Sequence, residues 1–128
     1  MEGPAPFSCF ARSNMITIIE QRRTQLKEAL EKAIQVLREE YHPLRIIVFG
    51  SLATDKVDET SDLDLPIVKE TPLPFYERLR EVALLCPLKV GADILVYTPA
   101  EVEQASRESQ FFREEVLGKG REVYRAPV

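Results

Sequence analysis

Three short apolar runs constrain the fold of this chain most strongly, because each has the length of a β-strand rather than that of a helix. Residues 45–49 contain a continuous, β-branched run of Ile, Val and Phe, which is typical of a strand buried on both faces. Residues 62–68 alternate between polar and apolar side chains, and residues 89–97 are apolar except around Gly91 and Asp93. The three runs therefore predict three strands.

The second run has the period of two that places alternate side chains on opposite faces of a strand. Leu63 and Leu65 are expected to face the core, whereas Asp62, Asp64 and Pro66 are expected to share the other face. Because proline lacks the N–H group that a sheet ladder needs, the strand is predicted to be an edge or a bulge at Pro66.

Helical patterns lie before, between and after these runs. In the first, apolar residues recur at three- and four-residue spacing, and His42 and Pro43 are expected to end the helix. The first predicted helix spans residues 16–41, the second begins at residues 71–74 with proline, and the third begins at residues 98–101 with a capping box. A last helix is predicted to end at Gly118, and a short strand over residues 121–124 follows it.

Length and local composition predict the domain organisation. A chain of 128 residues fits one compact domain. Residues 1–14 carry Gly3, Pro4 and Pro6 and have no hydrophobic periodicity, so we expect a disordered leader there. The folded domain is then predicted over residues 15–128.

Charge and cysteine content exclude some functions and leave others open. The net charge of −4 argues against a non-specific DNA- or RNA-binding surface, although bound metal ions allow an acidic enzyme to handle phosphates. Cys9 and Cys86 are far apart, and Cys86 lies in an apolar run, where it is predicted to be a buried small hydrophobe. Reduced cysteines, no apolar run long enough to span a membrane and no signal-peptide pattern together predict a cytoplasmic protein.

Three aspartates form the chemical constellation of this sequence. Asp62 and Asp64 are two apart on a predicted strand, so both carboxylates lie on one face and repel each other unless a cation separates them. Asp93 interrupts an apolar strand, where a charge is costly unless it is paired or bound to metal. Carboxylate oxygens favour Mg²⁺ or Mn²⁺ over zinc. If the two strands are neighbours, the three carboxylates converge on a metal site.

A Gly-Ser pair follows the first strand directly. Gly50 lets a phosphate approach the backbone, and the Ser51 hydroxyl with the following N–H groups can hold its oxygens. Each feature also has a structural alternative. Gly-Ser is a common turn or helix cap, an Asp-x-Asp pair is often simply solvated, and a lone Asp93 could be tied to an arginine or a backbone N–H. The conjunction of all three in this order favours a functional site.

Gly50-Ser51, ten intervening residues and Asp62-Leu63-Asp64 resemble the GSx10DxD signature of the polymerase-β-type nucleotidyltransferase superfamily. The short chain resembles the minimal nucleotidyltransferase branch, called MNT, and the resemblance covers about residues 15 to 125. It implies a small α/β (α+β) fold in which a mixed β-sheet is flanked by helices.

The resemblance also implies roles for individual residues. Asp62, Asp64 and Asp93 would hold Mg²⁺ or Mn²⁺, and Asp93 would help to deprotonate the attacking hydroxyl. Gly50 and Ser51 would contact the β- and γ-phosphates of ATP. AMP would move to a hydroxyl group, and pyrophosphate would be released. MNT proteins often pair with a helical HEPN-domain protein, in some cases as an antitoxin that adds AMP to the toxin, so a HEPN-type partner is implied.

The sequence departs from this family behind Ser51. Many members have Ala-Arg-Gly after Gly-Ser-x, whereas Ala53 is followed here by Thr54 and Asp55, which implies weaker binding of the triphosphate. Lys56 is either a replacement for the missing arginine or a solvated loop lysine. A second hypothesis therefore stays open, in which the domain is a catalytically weak binding module that neutralises or docks a HEPN-type partner by complex formation.

The last aromatic residues of the chain also allow two interpretations. Phe111, Phe112 and Tyr124 could belong to an interface with a partner or with a second copy of the chain, or they could pack in the core. A homo-oligomer therefore stays open as well.

Overall fold

The computed structural model describes residues 7–54 and 56–127, with side chains described from Met15 onward. A four-stranded mixed sheet is surrounded by helices, as the sequence predicted. The elements in chain order are helix α1 (Phe7–Val36), which continues as a π-helical turn (Leu37–Tyr41), strand β1 (Arg45–Val48), the short helix α2 (Ser51–Thr54), β2 (Leu63–Val68), α3 (Phe75–Leu85), β3 (Ala92–Tyr97), α4 (Pro99–Glu108), a π-helical segment (Phe112–Gly118) and β4 (Arg121–Arg125).

The sheet has the strand order β3-β2-β1-β4. β1 pairs antiparallel with both β2 and β4, whereas β2 and β3 run parallel and are joined through α3. This parallel pair fixes the register of the candidate site, because Asp64 lies opposite Asp93. The three strands expected from the apolar runs and the short last strand are confirmed.

The first helix is longer than the sequence indicated. It begins at Phe7 rather than near Ile16, so its first turns lie in the stretch expected to be a disordered leader, and residues 1–6 lie outside the described residues. The domain boundary at residue 15 stays a prediction. The predicted end is confirmed, because the π-helical turn stops at Tyr41 and His42 adopts a left-handed conformation with φ of 58°.

The expectation of an edge or a bulge at Pro66 is wrong. β2 is not an edge strand, since it lies between β3 and β1. Its register with β1 is also unshifted, because β1 pairs Ile46 with Ile67 and then Phe49 with Asp64, and the ladder is only interrupted between these pairs. A proline has no N–H to donate, so an interrupted ladder accommodates it inside the sheet.

The hydrophobic core lies between the sheet and helices α1 and α3. Leu63, Leu65 and Ile67 are fully buried on the predicted face of β2. Ile46 and Val48 are buried on one face of β1 and Ile47 on the other, as expected for a strand covered on both sides. The core cluster also contains Leu26, Leu30, Ala33, Leu37, Tyr41, Val82, Cys86 and Val96. Cys86 is a free, buried thiol, as predicted, and Cys9 lies outside the residues with described side chains.

A buried arginine ties α3 to β3 and α4. Arg78 donates to the carbonyl oxygens of Leu73 and Val96 at 2.7 and 3.2 Å and to the Glu101 carboxylate at 2.6 Å. Glu101 also closes the predicted capping box, since it accepts from the Thr98 N–H at 2.8 Å while the Thr98 hydroxyl accepts from the Glu101 N–H. These bonds hold the end of β3 and the start of α4 in place.

Within residues 7–54 and 56–127, no helix is both long and apolar enough to cross a membrane.

Candidate active site

The parallel pairing of β2 with β3 brings two of the predicted aspartates together. Asp64 and Asp93 are in register on neighbouring strands, so their side chains project from the same face of the sheet. Asp62 lies just before β2, and Leu63 N–H donates to the Gly91 carbonyl oxygen at 3.0 Å, which holds this end of β2 against the residues that lead into β3. Asp64 and Asp93 therefore meet at one end of the strand pair, and Asp62 is near enough for its charge to act on Asp64.

The electrostatics of the site centre on Asp64. Partial burial raises the pKa of its carboxyl group. The charge of Asp93 and a hydrogen bond between the two carboxyl groups raise the pKa of Asp64 further, and the charge of Asp62 adds to this. Full ionisation of the three carboxyl groups is therefore unfavourable unless a cation binds between them.

Asp93 is not the buried charge that its apolar surroundings indicated. β3 is the edge strand of the sheet, and Asp93 is exposed, as is Leu95 two residues later. The expectation was wrong because an apolar run suits both a buried strand and an edge strand that is covered on only one face. Asp93 therefore does not need a charged partner because of burial. It is relevant to the site because it lies next to Asp64 on the neighbouring strand.

Gly50 has a function that the sequence pattern did not reveal. Its φ is +78°, a left-handed conformation that favours glycine, and the Asp64 carboxylate packs against its Cα. A Cβ atom at this position would lie 2.5 Å from Asp64 Oδ2. Gly50 thus provides the space in which the Asp64 carboxylate sits, in addition to any contact with phosphate.

Gly91 provides the equivalent space for Asp62. A Cβ atom on Gly91 would lie 2.5 Å from Asp62 Oδ1 and 3.0 Å from Asp62 Cγ. In the sequence, Gly91 indicates only a break in the third predicted strand. The available signal was its position two residues before Asp93, since glycine near a cluster of charged side chains often marks a close approach of the backbone.

Ser51 begins α2, directly after Gly50. The Thr54 N–H and hydroxyl both donate to the Gly50 carbonyl oxygen at 3.1 Å, and the Lys56 N–H donates to the Ser51 carbonyl oxygen at 2.9 Å. Thr54, at the position where the family resemblance led us to expect an arginine, therefore stabilises this turn. Lys56 is exposed, and Asp55 lies outside the described residues.

The polar loop before β2 is ordered by its own side chains. The Asp58 carboxylate accepts from the Thr60 N–H and the Thr60 hydroxyl at 2.8 Å, and the Ser61 hydroxyl accepts from the Asp58 N–H at 2.9 Å. The bonds from Thr60 hold the pKa of Asp58 below its usual value. This turn fixes the approach of the chain to Asp62.

The carboxylates of the site fit a magnesium ion whose remaining ligands come from water and substrate. Among the residues that the structure describes, no three His, Cys, Asp or Glu side chains are arranged as a ready metal cage. Mg²⁺ does not require one, since it is usually held by one or two carboxylates together with water and substrate phosphates. Asp64 and Asp93, in contact with each other, supply such a pair, and Asp62 lies close enough to influence Asp64.

An apolar groove of about 850 Å³ opens beside the two paired aspartates. It follows β3, between α3 on one side and α4 with the π-helical segment on the other. The three aromatic residues for which an interface and core packing were both left open differ in position. Phe111 is exposed and lines the groove, Phe112 is buried at its floor against Tyr97, and Tyr124 is half-buried elsewhere, packed against the core.

The chain is similar to two proteins over part of its length. It is 38% identical over 63 residues to "Caffeine-induced protein 16" of Schizosaccharomyces pombe, covering 48% of this chain and 5% of that protein. It is also 38% identical over 50 residues to a "Putative protein adenylyltransferase" of Methanocaldococcus jannaschii, covering 39% of this chain and 51% of that protein. The chain thus matches at most about half the length of either relative.

A solved structure titled as that of a putative nucleotidyltransferase from Sulfolobus solfataricus is also similar. The sequence identity is 21%, the TM-score is 0.48, and the match covers 70% of this chain and 78% of the other.

The family comparison covers most of the chain. Residues 31–127 match the family described as "Polymerase beta, Nucleotidyltransferase", and this range contains Gly50, Ser51 and all three aspartates. Domains of this family generally use a divalent metal ion and a nucleoside triphosphate. The mixed sheet, the aspartates in register and the family match agree, and the chain belongs to the polymerase-β-type nucleotidyltransferases.

Proposed function

We propose that this protein transfers AMP from ATP to a hydroxyl group of a partner protein in a reaction that depends on Mg²⁺. The observation that carries the proposal is the register of Asp64 with Asp93 on neighbouring parallel strands, beside the Gly50–Ser51 turn. The family supports nucleotidyl transfer. The name of the archaeal relative supports a protein as the acceptor.

The residues of the chain have separate roles in this reaction. Asp62, Asp64 and Asp93 would hold the metal, and Asp93 would also help to accept the proton of the acceptor hydroxyl. Gly50 and Ser51 hold the β- and γ-phosphates. When bound, the divalent metal neutralises the charge that develops on the attacking and leaving oxygens. The acceptor oxygen forms a bond to the α-phosphorus, the bond from that phosphorus to the bridging oxygen breaks, and pyrophosphate leaves with the electron pair.

The proposed partner is a helical protein of the HEPN type, which this protein would inactivate as an antitoxin in the cytoplasm. This part rests on the resemblance of the motif and domain size to MNT proteins. It is tested by co-expression, because the candidate partner should become heavier by one AMP group and lose its toxicity. An unmodified partner that is nevertheless neutralised would contradict the transfer of AMP as the mechanism.

The direct test is incorporation of label from ATP that carries radioactive phosphorus at the α position. With Mg²⁺ and the partner, we expect labelled partner and free pyrophosphate. Asp93→Asn should lower the rate by about 10²–10⁴-fold, the usual contribution of a general base, and Asp64→Asn should also abolish Mn²⁺ binding. Glu59→Gln is the matched control, because Glu59 is exposed and outside the carboxylate cluster. Equal rates for Asp64→Asn and Glu59→Gln would refute the proposal.

A binding module that neutralises its partner by complex formation is the second candidate. The observation that favours it is Thr54, whose hydroxyl is bonded to the Gly50 carbonyl oxygen where many relatives offer an arginine to phosphate. The double substitution Asp62→Asn with Asp64→Asn separates the two functions. A binding module keeps both complex formation and neutralisation, whereas the proposed enzyme loses neutralisation when its carboxylates are removed.

A further inference from the structure

The apolar groove along β3 reaches the carboxylate cluster at Asp64 and Asp93, which both line it. Asp93 is exposed there, on the edge strand of the sheet. The groove is therefore the space from which another molecule can reach the Asp93 carboxylate.

This arrangement bears on the direction from which each reactant arrives. In an in-line displacement at phosphorus, the attacking and leaving oxygens lie on opposite sides of the transferred group. If Asp93 accepts the proton of the acceptor hydroxyl, that hydroxyl has to approach from the surface at which Asp93 is exposed. The groove that Asp93 lines is such a surface.

The lining of the groove indicates what carries the hydroxyl group. Its walls are mostly aliphatic and aromatic, with Leu95, Ala105, Phe111 and Val116 among the contributors. Among the described residues that line it there is no lysine or arginine, and its two charged groups are carboxylates. With a net charge of −4 for the chain, such a surface repels the phosphates of a nucleic acid and suits an apolar protein segment.

We infer that the groove binds the acceptor as a protein segment whose apolar side chains flank the modified hydroxyl. This inference rests on the proposed function and deepens it by naming the substrate class. The acceptor oxygen bonds to the α-phosphorus, its proton passes to Asp93, and pyrophosphate leaves on the far side. The volume of about 850 Å³ accommodates a few side chains rather than a whole domain.

Phe111 is the residue that tests this assignment most cleanly. Its side chain is 65% exposed although it is aromatic and lines the groove, so the fold does not depend on its burial. Leu84 is the matched control, since it is 75% exposed on α3 and is not among the groove-lining residues. Phe111→Glu and Leu84→Glu therefore add the same charge at two exposed apolar positions.

The probes are two synthetic peptides with a central tyrosine, one flanked by leucines and one by serines and glycines, and a single-stranded oligonucleotide with a free 3′ hydroxyl. The full-length protein is supplied with Mg²⁺ and α-labelled ATP. Label on each probe and release of pyrophosphate to water without any probe are measured separately. Thermal unfolding checks that both variants are folded.

We expect the leucine-flanked peptide to be labelled at least about tenfold faster than the serine- and glycine-flanked peptide, the size of effect that burial of one apolar side chain gives. Phe111→Glu should raise the KM for that peptide by about tenfold or more, whereas Leu84→Glu should leave it unchanged. Leu84→Glu, outside the groove lining, should also release pyrophosphate to water as the unmodified protein does.

Other outcomes overturn the inference in distinguishable ways. Equal labelling of both peptides, labelling of the oligonucleotide alone, or equal effects of the two glutamate variants would refute the assignment of the groove while leaving nucleotidyl transfer intact. No pyrophosphate release with any probe or with the HEPN-type partner would refute the proposed function itself, and the groove assignment would fall with it.

Discussion

Replacing Gly50 by alanine should impair the site far more than the fold. The new Cβ would meet two separate obstacles. The backbone at Gly50 has φ of +78°, which an L side chain rarely adopts, and the Cβ would lie 2.5 Å from Asp64 Oδ2. The first obstacle acts on the backbone and the second on the end of a side chain, so they have different consequences.

The size of each effect follows from the geometry. A left-handed conformation costs a residue other than glycine about 1–2 kcal/mol. The contact with Asp64 is relieved by rotation of the carboxylate, which adds little to the free energy of folding. We therefore expect Gly50→Ala to lower the free energy of unfolding by about 1–2 kcal/mol, a fraction of the roughly 5–15 kcal/mol typical of a domain. The displaced Asp64 should weaken Mn²⁺ binding by about 10–100-fold, as loss of ligand orientation does elsewhere.

The assay combines urea denaturation with titration of Mn²⁺ by calorimetry in the presence of ATP. Gly91→Ala is the comparison variant, because its Cβ would also lie 2.5 Å from a carboxylate oxygen, that of Asp62, without a positive φ. It should therefore reduce Mn²⁺ binding with a smaller loss of stability. A double-mutant cycle of Gly50→Ala with Asp64→Ala isolates the contact, since the backbone strain remains when the carboxylate is gone.

Unchanged Mn²⁺ affinity in folded Gly50→Ala would refute the idea that this glycine makes room for the Asp64 carboxylate.

The remaining predictions concern the supporting structure. Arg78→Lys should lower the free energy of unfolding by about 2–4 kcal/mol, because an ammonium group cannot reach the carbonyl oxygens of Leu73 and Val96 and the Glu101 carboxylate together; denaturation measures it, and an unchanged midpoint would contradict it. Hydrogen bonds from Thr98 and Arg78 hold the pKa of Glu101 below 4.5. The contribution of Glu101 to stability is therefore complete above pH 4.5 and is lost as the pH falls through the lowered pKa. Denaturation between pH 6 and 3 should show this loss of stability, and the loss should be smaller in Glu101→Gln. Leu65→Ala removes a fully buried side chain and should cost about 2–5 kcal/mol, and a loss below 1 kcal/mol would show that the core is loosely packed there.

The sequence was most informative where a periodicity had a single physical meaning. Alternation over residues 62–68 identified the buried face of β2, and the Thr98–Glu101 pattern identified the start of α4. Both are local effects, since a strand period and a capping box depend on residues within a few positions of each other. The end of the first helix at Tyr41 was predictable for the same reason.

The position of a strand within the sheet could not be obtained in this way. Pro66 pointed to an edge, yet β2 is internal, and the apolar surroundings of Asp93 pointed to burial, yet β3 is the edge. Strand order is decided by long-range pairing, and an interrupted ladder allows a proline inside a sheet. The contacts of Gly50 and Gly91 with the aspartates were invisible for the same reason, because they join separate segments of the chain.

The proposed reaction accounts for the location of the site at an edge strand. In that reaction, a carboxylate that receives a proton from an incoming acceptor has to be open to that acceptor. Asp93 on β3 is exposed, whereas Asp64 on the internal strand is partly buried. The parallel register keeps the two in contact despite this difference. A single pair of strands therefore offers the proposed reaction one partly buried carboxylate and one that is open to the groove. If these two environments were exchanged, the proposed metal ligand would be solvated and the proposed proton acceptor would be beyond the reach of its substrate.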